Sequence, residues 1–138
     1  MARMLVPMDD SQQAKDALDH AVSEFPDAEI VLLHVIDPID SGYDAERVVL
    51  GYSEDWYNSH EETAEDLFAE ARERTGREFE TAIEVGRPSR EIVEYAKREE
   101  IDHIVMGSHG RSGVARILLG SVAETVVRRS PVPITVVR

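Results

Sequence analysis

The sequence predicts one doubly wound α/β domain over residues 1–138, a five-stranded parallel sheet of order 3-2-1-4-5 with helices on both faces. Three observations carry this reading. Strand-like and helix-like patterns alternate along the 138 residues as βαβαβαβαβ, the signature of a parallel sheet covered by crossover helices. The run Ile30-Val31-Leu32-Leu33-His34-Val35-Ile36 is apolar on both faces, as an interior parallel strand must be. An acidic pair, Asp9-Asp10, follows the first strand and a glycine-rich segment follows the fourth. These two loops fall together, where such a sheet reverses its winding, if the first and fourth strands are neighbours. The alternation fixes the class, whereas the strand order is one choice among the few that right-handed crossovers allow.

Arg3–Val6, closed by Pro7, reads as the first strand. Ala14, Ala17, Leu18, Ala21, Val22 and Phe25 recur at helical spacing until Pro26, and Asp10 with Gln13 reads as the capping pair of that helix. After the Ile30–Ile36 strand comes an irregular stretch, Asp37–Asn58, holding half of the chain's aromatic residues (Tyr43, Tyr52, Trp56 and Tyr57). A stretch of this length suggests a flap over a ligand or a contact between subunits. Ser59 and Glu62 read as a capping box for a second helix striped by Ala64, Leu67, Phe68 and Ala71 and ended by Gly76. Phe79, Thr81, Ile83 and Val85 alternate with Glu78, Glu80, Ala82 and Glu84, a period of two that marks a half-exposed edge strand. Pro88 opens a third helix with Ile92, Val93, Tyr95 and Ala96 inward. Ile104-Val105-Met106 is a short buried strand, Ser121 and Glu124 read as the box of the last helix, and Val132–Val137 closes the sheet.

Composition narrows the function. The chain carries 28 acidic against 15 basic residues, a net charge of −13, which repels phosphate backbones and argues against general nucleic-acid binding. Thirteen of the cations are Arg and only Lys15 and Lys97 are Lys, a balance that suits the cytoplasm of a salt-loving organism, where ionic strength screens self-repulsion. No apolar run reaches the length of a membrane span, and residues 1–10 do not read as a signal peptide. Cysteine is absent, which excludes disulfides, thiolate metal sites and thiol catalysis.

The chemistry concentrates after the fourth strand, in Gly107-Ser108-His109-Gly110-Arg111-Ser112-Gly113 and, separated from Gly110 by nine residues, Gly120-Ser121. Glycines let backbone amides approach a ligand with no Cβ in the way. A helix starting at Ser121 adds unpaired N–H groups and the positive end of its dipole. Two such segments point to phosphate binding, against the plainer alternative in which the glycines serve turns and Ser121 serves as a cap.

The pattern Gly107-x2-Gly110-x9-Gly120-Ser121, with Leu5-Val6-Pro7-Met8-Asp9, His34-Val35-Ile36 and Pro131-Val132-Pro133, resembles the ATP-binding branch of the universal stress protein family over essentially the whole chain. The resemblance implies ATP or a related adenine nucleotide as ligand, with Mg as an option, and a homodimer. It implies that Asp9 lies near the nucleoside and that the main chain of Val35 meets the adenine edge. Gly107, Ser108, His109, Gly110, Arg111 and Ser112, with Gly120, Ser121 and Val122, then surround ribose and phosphates, and Pro7, Met8 and Met106 join the nucleotide-binding residues. Asp10 departs from the family pattern, where a small residue is common.

Three rival readings stand beside this one. A Walker-type hydrolase needs GxxxxGK[ST], which is absent, leaving at most a weak ATPase in which His109 assists. A phospho-receiver would share the acidic pair but lacks an Asp after the third strand, where the chain reads Ile83-Glu84-Val85-Gly86. An interaction module that binds no nucleotide is the third. No His, Asp and Glu grouping has metal-ligand spacing, and His34 reads as a hydrogen-bonded core histidine. The final strand, apolar at Val132, Ile134, Val136 and Val137 but carrying Pro133, suits a sheet edge that pairs with its own copy across a two-fold axis.

Overall fold

The computed structural model describes residues 2–39, 53–108 and 119–138. Among these the elements run β1 (Arg3–Pro7), α1 (Gln12–Glu24), β2 (Glu29–Ile36), α2 (Glu54–Thr75), β3 (Glu80–Val85), α3 (Pro88–Arg98), β4 (His103–Gly107), α4 (Ser121–Arg129) and β5 (Ile134–Val137). The strands form one parallel sheet of order β3-β2-β1-β4-β5, the predicted arrangement. Because strand side chains alternate faces, β1 feeds two cores. Met4 and Val6 join Ala14, Ala17, Leu18 and Ala21 of α1 and Ala64, Phe68 and Ala71 of α2 on one face. Leu5 joins Ile92, Val93, Tyr95 and Ala96 of α3 and Ala123 and Val126 of α4 on the other. No helix of the described residues is long and apolar enough to cross a membrane.

The helix starts differ from those the sequence suggested. Asp10 and Gln13 do not cap α1: the cap is Ser11, whose Oγ accepts from the Ala14 N–H at 3.1 Å, while Asp9 accepts from the Ser11 N–H at 2.8 Å. Ser59 and Glu62 lie inside α2, which starts a turn and a half earlier, at Glu54. Its cap is Ser53, with Oγ 3.1 Å from the Trp56 N–H, and Glu54 and Asp55 in the first turn favour the dipole. Residues 54–58 of the expected irregular stretch are therefore helical; 40–52 fall outside the described residues. At the other end of α2, Gly76 takes φ +69°, a left-handed cap that costs a residue with a Cβ about 1 kcal/mol or more. The Ser121–Glu124 box is also absent, since Gly120 is the N-cap of α4 and Ser121 its first helical residue. The last strand begins at Ile134, and Pro133 contributes its carbonyl, which accepts from the Ile104 N–H at 3.0 Å.

At the N-terminal end of the sheet one guanidinium ties three strands. Arg3 of β1 donates to Glu29 of β2 and to Glu80 of β3, each at 2.7 Å, and its Nε donates to the Glu99 carbonyl at 3.3 Å. The hydrogen bond from Arg3 holds the Glu80 carboxyl below the usual carboxylate range.

Candidate functional site

β1 ends at Pro7 opposite Leu33, so β2 runs on past it with only β3 beside it. The Leu33 carbonyl still reaches the Met8 N–H at 2.8 Å. Peptide groups of an extended strand point alternately to its two sides, so Val35 presents its N–H and C=O on the β1 side, just beyond the end of β1. Here, at the C-terminal ends of the strands, opens a cleft of about 700 Å³, within the range of small-molecule sites.

Its walls come from six directions. The turn after β1 supplies Pro7, Met8, Asp9 and Asp10, and the end of β2 supplies His34 and Val35. Met106, Gly107 and Ser108 close β4, and Gly120, Ser121 and Val122 open α4. Thus ten of the residues singled out in the sequence border one space. His109, Gly110, Arg111 and Ser112 lie outside the described residues. Asp10, which does not cap α1, borders the cleft. Sequence reasoning missed two walls: His60, Thr63 and Leu67 of α2, and Arg87, Pro88 and Ser89 where α3 begins. The second was accessible in principle, because the start of a helix after any parallel strand lies at this same edge of the sheet.

The two glycine segments, thirteen residues apart in the chain, are joined directly. The Gly120 N–H donates to the Ser108 carbonyl at 2.6 Å, and the Ser108 N–H donates to the Val137 carbonyl at 2.9 Å. The first helical bond of α4 runs from Glu124 N–H to Gly120, which leaves the N–H groups of Ser121, Val122 and Ala123 without intrahelical acceptors at the positive end of the dipole. Ser121 is exposed and caps nothing, so its hydroxyl is available to a ligand.

Gly107 has a second duty. A Cβ there would lie 2.8 Å from Gln13 Cβ and 2.9 Å from the Gln13 carbonyl carbon and oxygen, so its absence allows α1 to seat against β4. His34 is half-buried with Nδ1 2.8 Å from the Met8 carbonyl. A carbonyl only accepts, so Nδ1 carries the proton and a neutral ring keeps Nε2 as an acceptor. Among the described lining residues the carboxylates are those of Asp9, Asp10 and Asp37, and the one guanidinium is that of Arg87. No group of three His, Asp or Glu suited to a metal ion occurs among the described residues.

Comparison with known proteins gives this architecture a lineage. The chain is 34% identical to Universal stress protein MJ0577 of Methanocaldococcus jannaschii, with 99% of this chain and 94% of that protein covered. The solved structure of MJ0577 superposes with a TM-score of 0.82 over 99% of this chain and 94% of that one. The universal stress protein UspA from Lactobacillus plantarum is 30% identical and superposes at 0.81, covering 99% and 97% of the two chains. A universal stress protein solved in complex with cAMP shares the fold at 24% identity and a TM-score of 0.69, covering 99% and 96%. The family model for universal stress proteins matches residues 1–138, and the chain belongs to that family.

Proposed function

We propose that the cleft binds an adenine nucleotide, ATP foremost, and that the protein acts as a nucleotide-dependent switch in the stress response of a salt-rich cytoplasm. The observation that carries this is the Gly120–Ser108 hydrogen bond: it closes two glycine segments into one backbone cradle beside the unpaired amides of α4. Phosphates meet those amides and the Ser121 hydroxyl, and the main chain of Val35 offers a donor and an acceptor to the adenine edge. Asp9, with one oxygen on the Ser11 N–H, keeps its other for a ribose hydroxyl. His109, Gly110, Arg111 and Ser112 complete the phosphate side. The cAMP complex of a relative supports the ligand class.

Since the described residues hold no three-ligand metal set, a Mg²⁺ ion would arrive with the phosphates and take one or two carboxylates. Asp9 and Asp10 are the pair beside the cradle. The ion would neutralise phosphate charge in a chain of −13. Binding is the proposed activity; a weak ATP hydrolase and an interaction module that binds no nucleotide are the alternative readings. Gly110→Val sets side-chain bulk against the phosphates and is expected to lower ATP affinity at least tenfold with an unchanged melting temperature. Calorimetry on the purified variant checks this, and unchanged ATP affinity would count against the site.

The same reading includes a homodimer through β5, an edge strand of half-buried apolar residues, Ile134, Val136 and Val137, around Thr135. Light scattering is expected to report twice the 15.5 kDa of one chain, and Val136→Lys to shift it towards the monomer. A monomeric wild type at micromolar concentration in high salt would refute the pairing.

A further inference from the structure

The mouth of the cleft does not end at α3 and α4. Arg87, Ser89 and Thr125 also belong to a surface groove of about 750 Å³ that runs between these two helices. Its charge opposes that of the chain: Arg87, Arg90, Lys97, Arg128 and Arg129 line it with one carboxylate, Glu94, in a molecule of net charge −13. Helical spacing explains the row. Positions 87, 90, 94 and 97 fall on one stripe of α3, and 125 and 129 on one stripe of α4.

The cations are also poorly neutralised. Arg128 pairs with Glu124 at 3.0 Å, and Lys97 stands 3.9 Å from Glu94. Among the described residues no carboxylate lies within 4.0 Å of Arg87, Arg90 or Arg129. At the junction of cleft and groove sits Ser89, which borders both. Cations in a row with few carboxylates between them repel one another, and an anion entering from the cleft relieves that repulsion.

We infer that the groove between α3 and α4 is a subsite for a linear phosphate chain, continuing the cleft past Ser89. Over the eight residues from Ser121 to Arg129 a helix rises about 12 Å, too far for a monophosphate and suited to three or more linked phosphates. The chain has two possible sources: inorganic polyphosphate, or a nucleotide whose own phosphates extend from the cleft. The second rests on the nucleotide reading above; the first does not.

The test uses the intact protein and the double variant Arg90→Gln, Arg129→Gln, whose two side chains border the groove but not the cleft. Calorimetry is run with inorganic tripolyphosphate, adenosine 5′-tetraphosphate, AMP and adenosine. The expected result is a loss of about tenfold for the long-chain ligands in the variant, with AMP and adenosine unchanged and a steeper salt dependence for the long chains in the wild type. A loss for the tetraphosphate alone assigns the chain to the nucleotide, and a loss for tripolyphosphate assigns it to the free polyanion. Equal affinities in wild type and variant for both long-chain ligands would overturn the subsite, as would an equal loss for AMP. Adenosine and AMP that fail to bind the wild type would refute the nucleotide reading, while the tripolyphosphate arm still decides the groove.

Discussion

Phe68→Ala is expected to lower the unfolding free energy by about 3–5 kcal/mol. Phe68 is fully buried and is the bulkiest of the fully buried side chains among the described residues. It stands in the middle of α2, where its neighbours in the same core, Ala64 one turn before and Ala71 one turn after, are small. No large side chain of α2 is therefore at hand to fill the space, and the cavity term adds to the lost transfer energy. With a typical domain stability of about 5–15 kcal/mol, urea unfolding of this variant should begin far below that of the wild type. The same change should also weaken ligand binding, because His60, Thr63 and Leu67 form a cleft wall on the preceding two turns of this helix. A loss under about 1 kcal/mol would mean that α2 is not seated on the sheet as described.

Gly107→Val is expected to cost about 3 kcal/mol through overpacking. Two of the three atoms that a Cβ would meet, the carbonyl carbon and oxygen of Gln13, are backbone atoms in the first turn of α1, so no rotamer change relieves the contact. Relief requires α1 to shift from β4 and to carry with it the turn from Asp9 to Ser11. Stability and ligand affinity should then fall together, with Gly107→Ala showing the same pattern at smaller size. A variant that melts like the wild type and loses only affinity would show that Gly107 merely clears space for the ligand. Comparison with Gly110→Val, for which only affinity should change, separates the two roles a glycine can have in this motif.

What the sequence displayed openly was periodicity. The unbroken apolar run of β2 and the alternation around β3 revealed an interior and an edge strand, and these with Pro88 fixed the layers and the class. The choice of cap was less visible, because Asp9, Asp10 and Ser11 are three adjacent candidates with nearly equal intrinsic preference. Ser11 wins through a local turn, in which the Asp9 carboxylate accepts from its N–H two residues on. The start of α2 was misread for a similar reason: Ser59-x-x-Glu62 is a better capping box on paper, yet Ser53 followed by Glu54 and Asp55 begins the helix six residues sooner. In the site, the glycine motif marked the residues of β4 and α4, but motifs are local and say nothing about which distant helix forms the opposite wall. His60 and Thr63 had no pattern to betray them. The steric role of Gly107 depends on the position of a helix almost a hundred residues earlier, which no local signal encodes.

The Arg3 tie has a kinetic meaning as well. Its partner Glu80 is 77 residues away in sequence, and Asp102, which accepts from the Arg3 backbone N–H at 2.8 Å, is 99 away. Contacts of such separation close only after the intervening strands have docked, since chain closure must precede their formation. If they close only after the transition state, they slow escape from the native state rather than hasten arrival, which mutation of Arg3 with folding and unfolding rates measured would show. In a parallel sheet Arg3, Glu29 and Glu80 all sit at the strand beginnings, the end of the sheet opposite the cleft. The tie therefore braces the pole of the sheet opposite the cleft.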